Sequence, residues 1–305
     1  MPFLALSSLQ FTGEIAALSA AFLWAVSSIL FRKLGETIPP IEMNLLKGVL
    51  ATVLFFATLL LLNDPVTNVP IIAVLMLAIS GAIGIGFGDT AYFQGLNILG
   101  PRRTLLIVIL APAFTAILAV IFLHESVPWT GWLGILVTMV GIAWVITEQK
   151  NGADENRKDL WRGIFFGFMA ALSQAIGAVI SRWALTQTNV SALQSALIRL
   201  IAGVAFILIW ILIKRAKIAQ WVKPGSTPRL WGTVVIVVII GTYLAIWLQQ
   251  IAFQYTEVGI AQTLLATAPL FVLPIAVLQG EKLSLRSIAG VLLAVSGIGI
   301  LFLIG

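Results

Sequence analysis

Long apolar runs follow one another along almost the whole chain, and short polar stretches separate them. A helix needs about 20 mostly apolar residues to cross the hydrocarbon core of a bilayer, which is about 30 Å thick. Runs of this kind predict an all-α polytopic membrane protein with ten transmembrane helices. We expect the ten spans at roughly 13–33, 40–62, 70–98, 102–122, 128–147, 161–184, 190–213, 229–253, 258–279 and 284–304.

The breaks between the predicted spans contain residues that favour turns, as at Pro39-Pro40 and Gly100-Pro101. The long polar stretch between the fifth and sixth spans predicts a cytoplasmic linker at 148–160. It separates a first five-helix unit at 1–147 from a second at 161–305. The first apolar run has neither a basic region before it nor a small-residue cleavage site after it, so we interpret it as a span and not a signal peptide.

The two units repeat one motif. Ala111-Pro112 is followed by Glu125, Gly134 and Gly141-Ile142, and Ala268-Pro269 is followed by Glu281, Gly290 and Gly297-Ile298. The Glu and Gly pairs are separated by 156 residues and the Ala-Pro pairs by 157. A motif that recurs in register indicates duplication of one structural unit. Because each unit has an odd number of spans, the second copy must cross the membrane in the opposite sense, which predicts inverted repeats.

The distribution of basic residues gives an independent topology. Of the 18 lysines and arginines, 15 lie in the loops that follow odd-numbered spans, two lie within spans, and only Arg182 lies elsewhere. The positive-inside rule therefore places those loops in the cytoplasm and both termini outside a bacterial-type inner membrane. The formal net charge of +6 follows from these loops, so we expect no nucleic-acid partner.

Composition agrees with a membrane protein, because 60% of the residues are hydrophobic and only 10% are charged. Soluble domains have about 25% charged residues. The chain has no cysteine and one histidine, His124, and it shows no nucleophile–base pattern. We therefore expect no catalytic residues, no metal site and no cofactor.

Charged side chains inside the membrane are unfavourable and mark partners or wet cavities. Asp89 and Lys47 lie at similar predicted depths on adjacent spans. Their similar depth favours either an ion pair that fixes helix packing, or a functional role: a protonatable coupling site at Asp89 or an anion contact at Lys47. Arg199 occupies the place of Lys47 in the second unit, where no equivalent carboxylate follows. Arg199 either contacts substrate or lines the outer vestibule, or its donors are satisfied by Glu257 or by backbone carbonyls.

Other polar and aromatic residues lie at mid-span positions and suit a cavity for an amphipathic solute. Trp24 and Gln174 are equivalent positions, separated by 150 residues. Pro112, Pro269 and Pro274 interrupt the fourth and ninth spans and should kink them. Glu125 and Glu281 lie at loop edges, where capping or loop closure is expected. The predicted cavity residues are Trp24, Lys47, Asp89, Tyr92, Gln174, Arg199, Tyr243, Trp247 and Gln250.

The doubled Pro–Glu–Gly–Gly spacing and the basic residue in each second helix resemble the EamA-like members of the drug/metabolite transporter superfamily. The resemblance covers nearly the whole chain. It implies an exporter or exchanger of amino acids or other metabolites with a central cavity between the halves. Small multidrug relatives carry a glutamate midway along helix one, where this chain has Trp24, so cation/proton antiport by that mechanism is not expected.

Together these features predict a secondary transporter that moves small metabolites by alternating access, with export as the expected direction. Its partners would be a small-molecule solute and the lipid bilayer, and it would be a monomer or a homodimer. The alternative is a non-transporting membrane scaffold or a lipid-handling membrane enzyme. If transport is proton-coupled, Asp89 is the deeply placed carboxylate available for it; facilitated transport is the other possibility.

Overall fold

The computed structural model describes residues 11–35, 37–64, 66, 69–147, 157–215, 222, 227–278 and 285–303. The chain forms helices over these ranges. In chain order they are α1 (Thr12–Leu34), α2 (Pro40–Leu61), α3 (Ile71–Gly81), π1 (Ala82–Gly88), α4 (Asp89–Val108), α5 (Ala111–Phe122), α6 (Trp129–Ile146), α7 (Arg157–Gln187), α8 (Ala192–Lys214), α9 (Pro228–Val238), π2 (Ile239–Leu244), α10 (Ala245–Tyr255), α11 (Val258–Leu265), α12 (Ala268–Leu278) and α13 (Leu285–Phe302).

Eight helical segments in the described ranges are long and apolar enough to cross a membrane. They correspond to the first eight predicted spans, and their ends differ from the predicted ends by a few residues. At the ninth and tenth predicted spans the chain has shorter apolar helices, at 258–272 and 288–302. Large apolar side chains such as Leu61, Ile71 and Leu212 are exposed on the outside of the bundle. A surface of this kind requires lipid around it.

The third and fourth spans are joined without a break in helical backbone, because α4 runs from Asp89 to Val108. The chain nevertheless reverses within α4. A Cβ atom placed on Gly95 would lie 3.0 Å from the Thr104 side chain, whereas residues nine apart in a straight helix are separated by about 13.5 Å. Gly100-Pro101 lies between them, and proline removes a backbone donor and disfavours helical geometry at the residue before it.

The fourth and ninth spans are interrupted at equivalent places. The helix breaks at 109–110 before α5 and at 266–267 before α12. Pro112 and Pro269 are each the second residue of the helix that follows the break, and Pro274 lies inside α12. Proline is well tolerated in the first turn of a helix, where its missing N–H would have no intrahelical partner.

The motif glycines bring α6 and α13 together. Cβ atoms placed on Gly134, Gly141 and Gly290 would lie within 2.8 Å of Leu301, Ala294 and Val145, respectively. Residue numbers rise along α6 as they fall along α13, so the two helices are antiparallel. Small residues allow such close backbone approach between membrane helices. Glycine is therefore required here by packing, and the glycines of the repeated motif form a helix–helix interface.

Helices of one unit also cross helices of the other at the π-helical segments. Ser27 of α1 contacts Gly241 of π2, and Gly177 of α7 contacts Gly84 of π1. Ser27 and Gly177 are separated by 150 residues, and Gly84 and Gly241 by 157. These two crossings are therefore equivalent positions in the two units, exchanged between them. They bound the centre of the bundle.

Candidate functional site

A cavity of about 350 Å³ lies at the centre of the bundle, between the two units. This volume is within the usual range for small-molecule sites, roughly 300–1,000 Å³. Six of the nine predicted cavity residues line it, and Pro112 does as well. The six are Trp24, Lys47, Asp89, Tyr92, Gln174 and Arg199.

The cavity wall consists mostly of equivalent residues from the two units. Sixteen of its nineteen residues form eight pairs, separated by 150 residues in the first spans of the units, 152 in the second and 157 in the third and fourth. The pairs are Trp24/Gln174, Lys47/Arg199, Gly84/Gly241, Ile85/Thr242, Asp89/Ile246, Tyr92/Gln249, Leu105/Gln262 and Val108/Leu265. Both units thus contribute the same set of positions to one cavity, although the side chains at those positions differ.

Asp89 lies at the first residue of α4, immediately after π1, and contacts two donors. Lys47 Nζ is 3.4 Å from one carboxylate oxygen, and Gln174 Nε2 is 3.4 Å from the other. Both distances exceed the usual range for a charge-assisted hydrogen bond, about 2.7–2.9 Å. About one fifth of each charged side chain is exposed. The pair predicted from depth is therefore formed, and it is loosely held at the cavity wall.

Arg199 lies in α8 and is only 4% exposed. Its backbone lies against Gly81, and its Nη2 is 3.5 Å from the position that a Cβ of Gly84 would occupy. Within the described residues, its Nε and Nη1 have no hydrogen-bond partner. No hydrogen bond or ion pair joins Arg199 to the predicted partner Glu257 within the described ranges.

Trp24 and Tyr92 supply the aromatic part of the wall. The Trp24 indole Nε1 donates a hydrogen bond of 2.9 Å to the carbonyl of Gly241 in π2. The ring of Tyr92 packs against Phe93, with ring centroids 5.8 Å apart. Because its N–H is used within the protein, Trp24 presents mainly its apolar ring to the cavity.

Tyr243, Trp247 and Gln250 lie away from the cavity. The Tyr243 hydroxyl shares a hydrogen bond of 2.7 Å with Thr58, and its ring contacts both Phe55 and Trp247. Gln250 is fully buried and accepts a hydrogen bond of 2.8 Å from Ser195. All three residues therefore belong to the packing between the eighth span and the second and seventh spans.

Besides Gly241, the residues that line the cavity from the eighth span are Thr242, Ile246 and Gln249, and each lies one position before a predicted residue. The separation of 157 makes these three residues equivalent to Ile85, Asp89 and Tyr92 of the first unit. Gln262 was also missed, and the same separation places it opposite Leu105. The repeat register identifies Ile246 and Gln249, because their equivalents Asp89 and Tyr92 are predicted cavity residues; it does not identify Thr242 and Gln262, whose equivalents are apolar.

Three carboxylates of the first unit contact the second unit at the face predicted to lie outside; we call these contacts the carboxylate ties. Glu125 accepts a bond of 2.7 Å from Arg182 Nε and one of 3.1 Å from the Val258 N–H. The other ties join Glu14 to Thr256, and Asp64 to Ser191 and Gln194 at 2.8 and 2.7 Å.

Glu125 thus closes a loop across the two units and caps α11, not its own helix α6. Arg182 also donates to the carbonyls of Phe253 and Gln254, at 2.7 and 2.8 Å. Glu281, the equivalent of Glu125, lies outside the described residues. Among the residues that are described, no group of three or more His, Cys, Asp or Glu side chains could hold a metal ion.

Comparisons with known proteins agree with this architecture. The sequence profile described as "EamA-like transporter family" matches residues 11–147 and 161–303. A solved crystal structure superposes with a TM-score of 0.81 over 97% of this chain and 98% of that chain, at 17% sequence identity. At that identity the similarity shows the fold alone.

Two curated relatives are named "S-adenosylmethionine uptake transporter". The protein of Rickettsia bellii (strain RML369-C) is 34% identical over 96 residues, which is 32% of this chain and 31% of the relative. That of Rickettsia conorii (strain ATCC VR-613 / Malish 7) is 31% identical over 96 residues, 32% of this chain and 30% of the relative. The chain therefore matches less than one third of the length of these relatives.

Proposed function

Because this chain belongs to the EamA-like transporter family, and is therefore a membrane transporter of small metabolites and not an enzyme, we propose that its substrate binds in the central cavity. The observation that carries the proposal is the wall of eight equivalent residue pairs. A site at the interface of two repeats is the usual position of the substrate in secondary transporters. The volume, of about 350 Å³, suits a solute of amino-acid size.

We also propose that the two units at 1–147 and 161–305 are inverted five-helix repeats, joined by a linker at 148–160. The antiparallel packing of α6 against α13 supports this, because these helices are equivalent and inversion requires opposite directions. The exchanged crossings at Gly84 and Gly241 support it as well. With ten spans and the basic loops in the cytoplasm, both termini would lie outside the inner membrane.

Alternating access follows from such an arrangement, because a site between two repeats can open to either side as one repeat moves against the other. The carboxylate ties support a state closed at the predicted outer face, since each joins the first unit to the second there. Opening that face would require these contacts to separate. The carboxylate ties would therefore break and re-form once in each transport cycle.

Amino acids or similar organic solutes are the proposed substrates. The names of the Rickettsia relatives add S-adenosylmethionine, which is itself an amino-acid derivative, to the solutes to be tested. Export is the direction implied by the sequence resemblance, whereas those relatives are named for uptake. Asp89 is the proposed coupling group if flux depends on protons, and the protein would work as a monomer or a homodimer.

The proposal is tested by reconstituting the purified chain in proteoliposomes and measuring counterflow of labelled amino acids, S-adenosylmethionine and other organic solutes in both directions. We expect saturable counterflow of at least one solute. Val108→Trp, which places a large ring in the cavity wall, should abolish that flux while the protein remains folded. Absence of flux across the panel with folded wild-type protein would refute the proposed transport function.

A further inference from the structure

The charges in the cavity wall do not sum to zero. Its charged residues are Lys47, Asp89 and Arg199. Lys47 and Asp89 offset each other, because they form an ion pair at 3.4 Å. Arg199 forms no ion pair among the described residues, so these three side chains leave one net positive charge in the cavity wall. A buried charge without a partner is strongly unfavourable, which means that this arrangement calls for a group that is not part of the wall.

Arg199 is one of three residues of the cavity wall with buried polar atoms that have no hydrogen-bond partner within the described residues. Its Nε and Nη1 lack hydrogen-bond partners, as do the buried Oγ1 of Thr242 and Oε1 of Gln262 within the described part of the chain. All three side chains line the same cavity. Gly84 adds no side chain in front of the guanidinium, and its backbone approaches Gly177 of α7. Within the described residues, Arg199 and Thr242 thus bring unpaired donors to the cavity wall, whereas the unpaired atom of Gln262 is an acceptor.

We propose that Arg199 binds the carboxylate of the transported solute, and that the carrier prefers organic monoanions. Such a solute has one more carboxylate than it has cationic groups. This inference rests on the proposed transport function. An anion of unit charge would neutralise the cavity, and a guanidinium matches the shape and charge of a carboxylate. A zwitterion would leave the net charge unchanged, and a cation would add to it. A neutral amide of the same shape could accept a hydrogen bond, but it would leave the charge of Arg199 uncompensated.

The test compares N-acetyl amino acids with their carboxamides, since the two differ in charge but hardly in shape. Binding to detergent-purified protein is measured by calorimetry, separately from flux. A charged hydrogen-bonding group contributes about 1.5–3 kcal/mol, so wild-type protein should bind the acid roughly 10- to 150-fold more tightly than the amide. In Arg199→Gln this ratio should fall to near one. Arg229→Gln makes the same change at an exposed position of α9 and should keep the wild-type ratio.

Two further variants keep the inference testable if Arg199→Gln does not fold. Arg199→Lys retains the charge with fewer donors and should give an intermediate ratio. Gly84→Ala places a methyl group 3.5 Å from Nη2, a distance that the fold tolerates, and should weaken binding of the acid more than that of the amide. An equal affinity for acid and amide in wild-type protein, or an unchanged ratio in both Arg199→Lys and Gly84→Ala, would overturn the inference.

The outcomes also separate this inference from the proposed transport function. Preferential binding of the acid without flux would support the carboxylate site and contradict transport of these solutes. Flux of neutral solutes, with no preference for acids and no effect of the Arg199 variants, would support transport and overturn the carboxylate site.

Discussion

The tie between Glu125 and Arg182 should determine how often the predicted outer face opens. Glu125 belongs to the first unit, and its two described donors, Arg182 Nε and the Val258 N–H, belong to the second. Glu125→Gln keeps the size of the side chain and one acceptor, but removes its charge. Arg182 then keeps its bonds to two backbone carbonyls and loses its carboxylate.

The magnitude follows from the bond that is lost. The Nε–Oε1 distance is 2.7 Å, and the two side chains are only 15% and 11% exposed, so solvent screens the pair little. A charge-assisted hydrogen bond of this kind contributes about 1.5–3 kcal/mol. If it exists only in the state closed at this face, its loss should raise the open population roughly 10- to 150-fold.

The absence of cysteine in this chain makes the change measurable. Gln249→Cys places one thiol at the cavity wall, and a membrane-impermeant maleimide is then added from each side in turn. Glu125→Gln should speed labelling from the predicted outer side at least tenfold. Asp159→Asn removes a carboxylate from an exposed ion pair on α7 and serves as the control, since such pairs contribute little.

Two results would refute this reasoning. The first is an unchanged labelling rate from that side in folded Glu125→Gln protein, which would mean that the tie is present without holding the face closed. The second is an equal acceleration in Asp159→Asn, which would mean that loss of any carboxylate loosens the bundle. Labelling from the predicted inner side should stay constant or slow, because a larger fraction of molecules open to the outer side leaves a smaller fraction open to the inner side.

Three further predictions concern packing, coupling and the cavity wall. Gly141→Ala would place a methyl group 2.7 Å from the Ala294 Cα and should lower the stability of the fold by about 1–3 kcal/mol. A melting curve in detergent checks this. Gly299→Ala is the control, because nothing lies within 4 Å of a Cβ at that position. Asp89→Asn should remove the pH dependence of flux in proteoliposomes, and flux that keeps its full pH dependence would exclude Asp89 as the coupling group. Trp24→Phe loses the 2.9 Å bond to the Gly241 carbonyl and should lower stability by about 0.5–1.5 kcal/mol, whereas an unchanged melting curve would show that the bond adds no net stability.

The helical bundle could be predicted from sequence because each span must satisfy its own backbone hydrogen bonds within the membrane. This constraint leaves a strong apolar signal that is local in sequence. The contact between Lys47 and Asp89 could also be predicted, since both depths follow from the helical rise and the two spans are neighbours. Their Nζ–Oδ2 distance of 3.4 Å agrees with that expectation.

The face of the eighth span could not be predicted in the same way. Tyr243, Trp247 and Gln250 were expected at the cavity, but Thr242, Ile246 and Gln249 line it. These sets differ by one residue, and one residue rotates a helical face by about 100°. Both sets keep the i, i+4, i+7 spacing of a helical face, so periodicity alone does not choose between them. The repeat register does choose, because it makes Ile246 and Gln249 equivalent to Asp89 and Tyr92.

The carboxylate ties show a different limit. Glu14 and Thr256 are 242 residues apart, and Asp64 and Gln194 are 130 apart. No pattern within either segment indicates its partner, because these bonds depend on how the two units meet. Repeat symmetry does not help either, since the ties join residues that are not equivalent. They follow from the assembled bundle alone.

The cavity pairs suggest how one duplicated unit acquired a selective site. Most pairs keep a similar size and a similar position, so the backbone of the cavity can be nearly symmetric. The pairs differ most in charge. Both units supply a cation, Lys47 and Arg199, but the residue equivalent to the carboxylate Asp89 in the second unit is Ile246. Arg199 lies seven residues from the start of α8 at the predicted outer face, and Lys47 seven residues from the start of α2 at the predicted inner face. A solute that crosses the cavity therefore meets an uncompensated cation near one side and a neutral ion pair near the other, so an anion should be held more tightly at the side nearer Arg199.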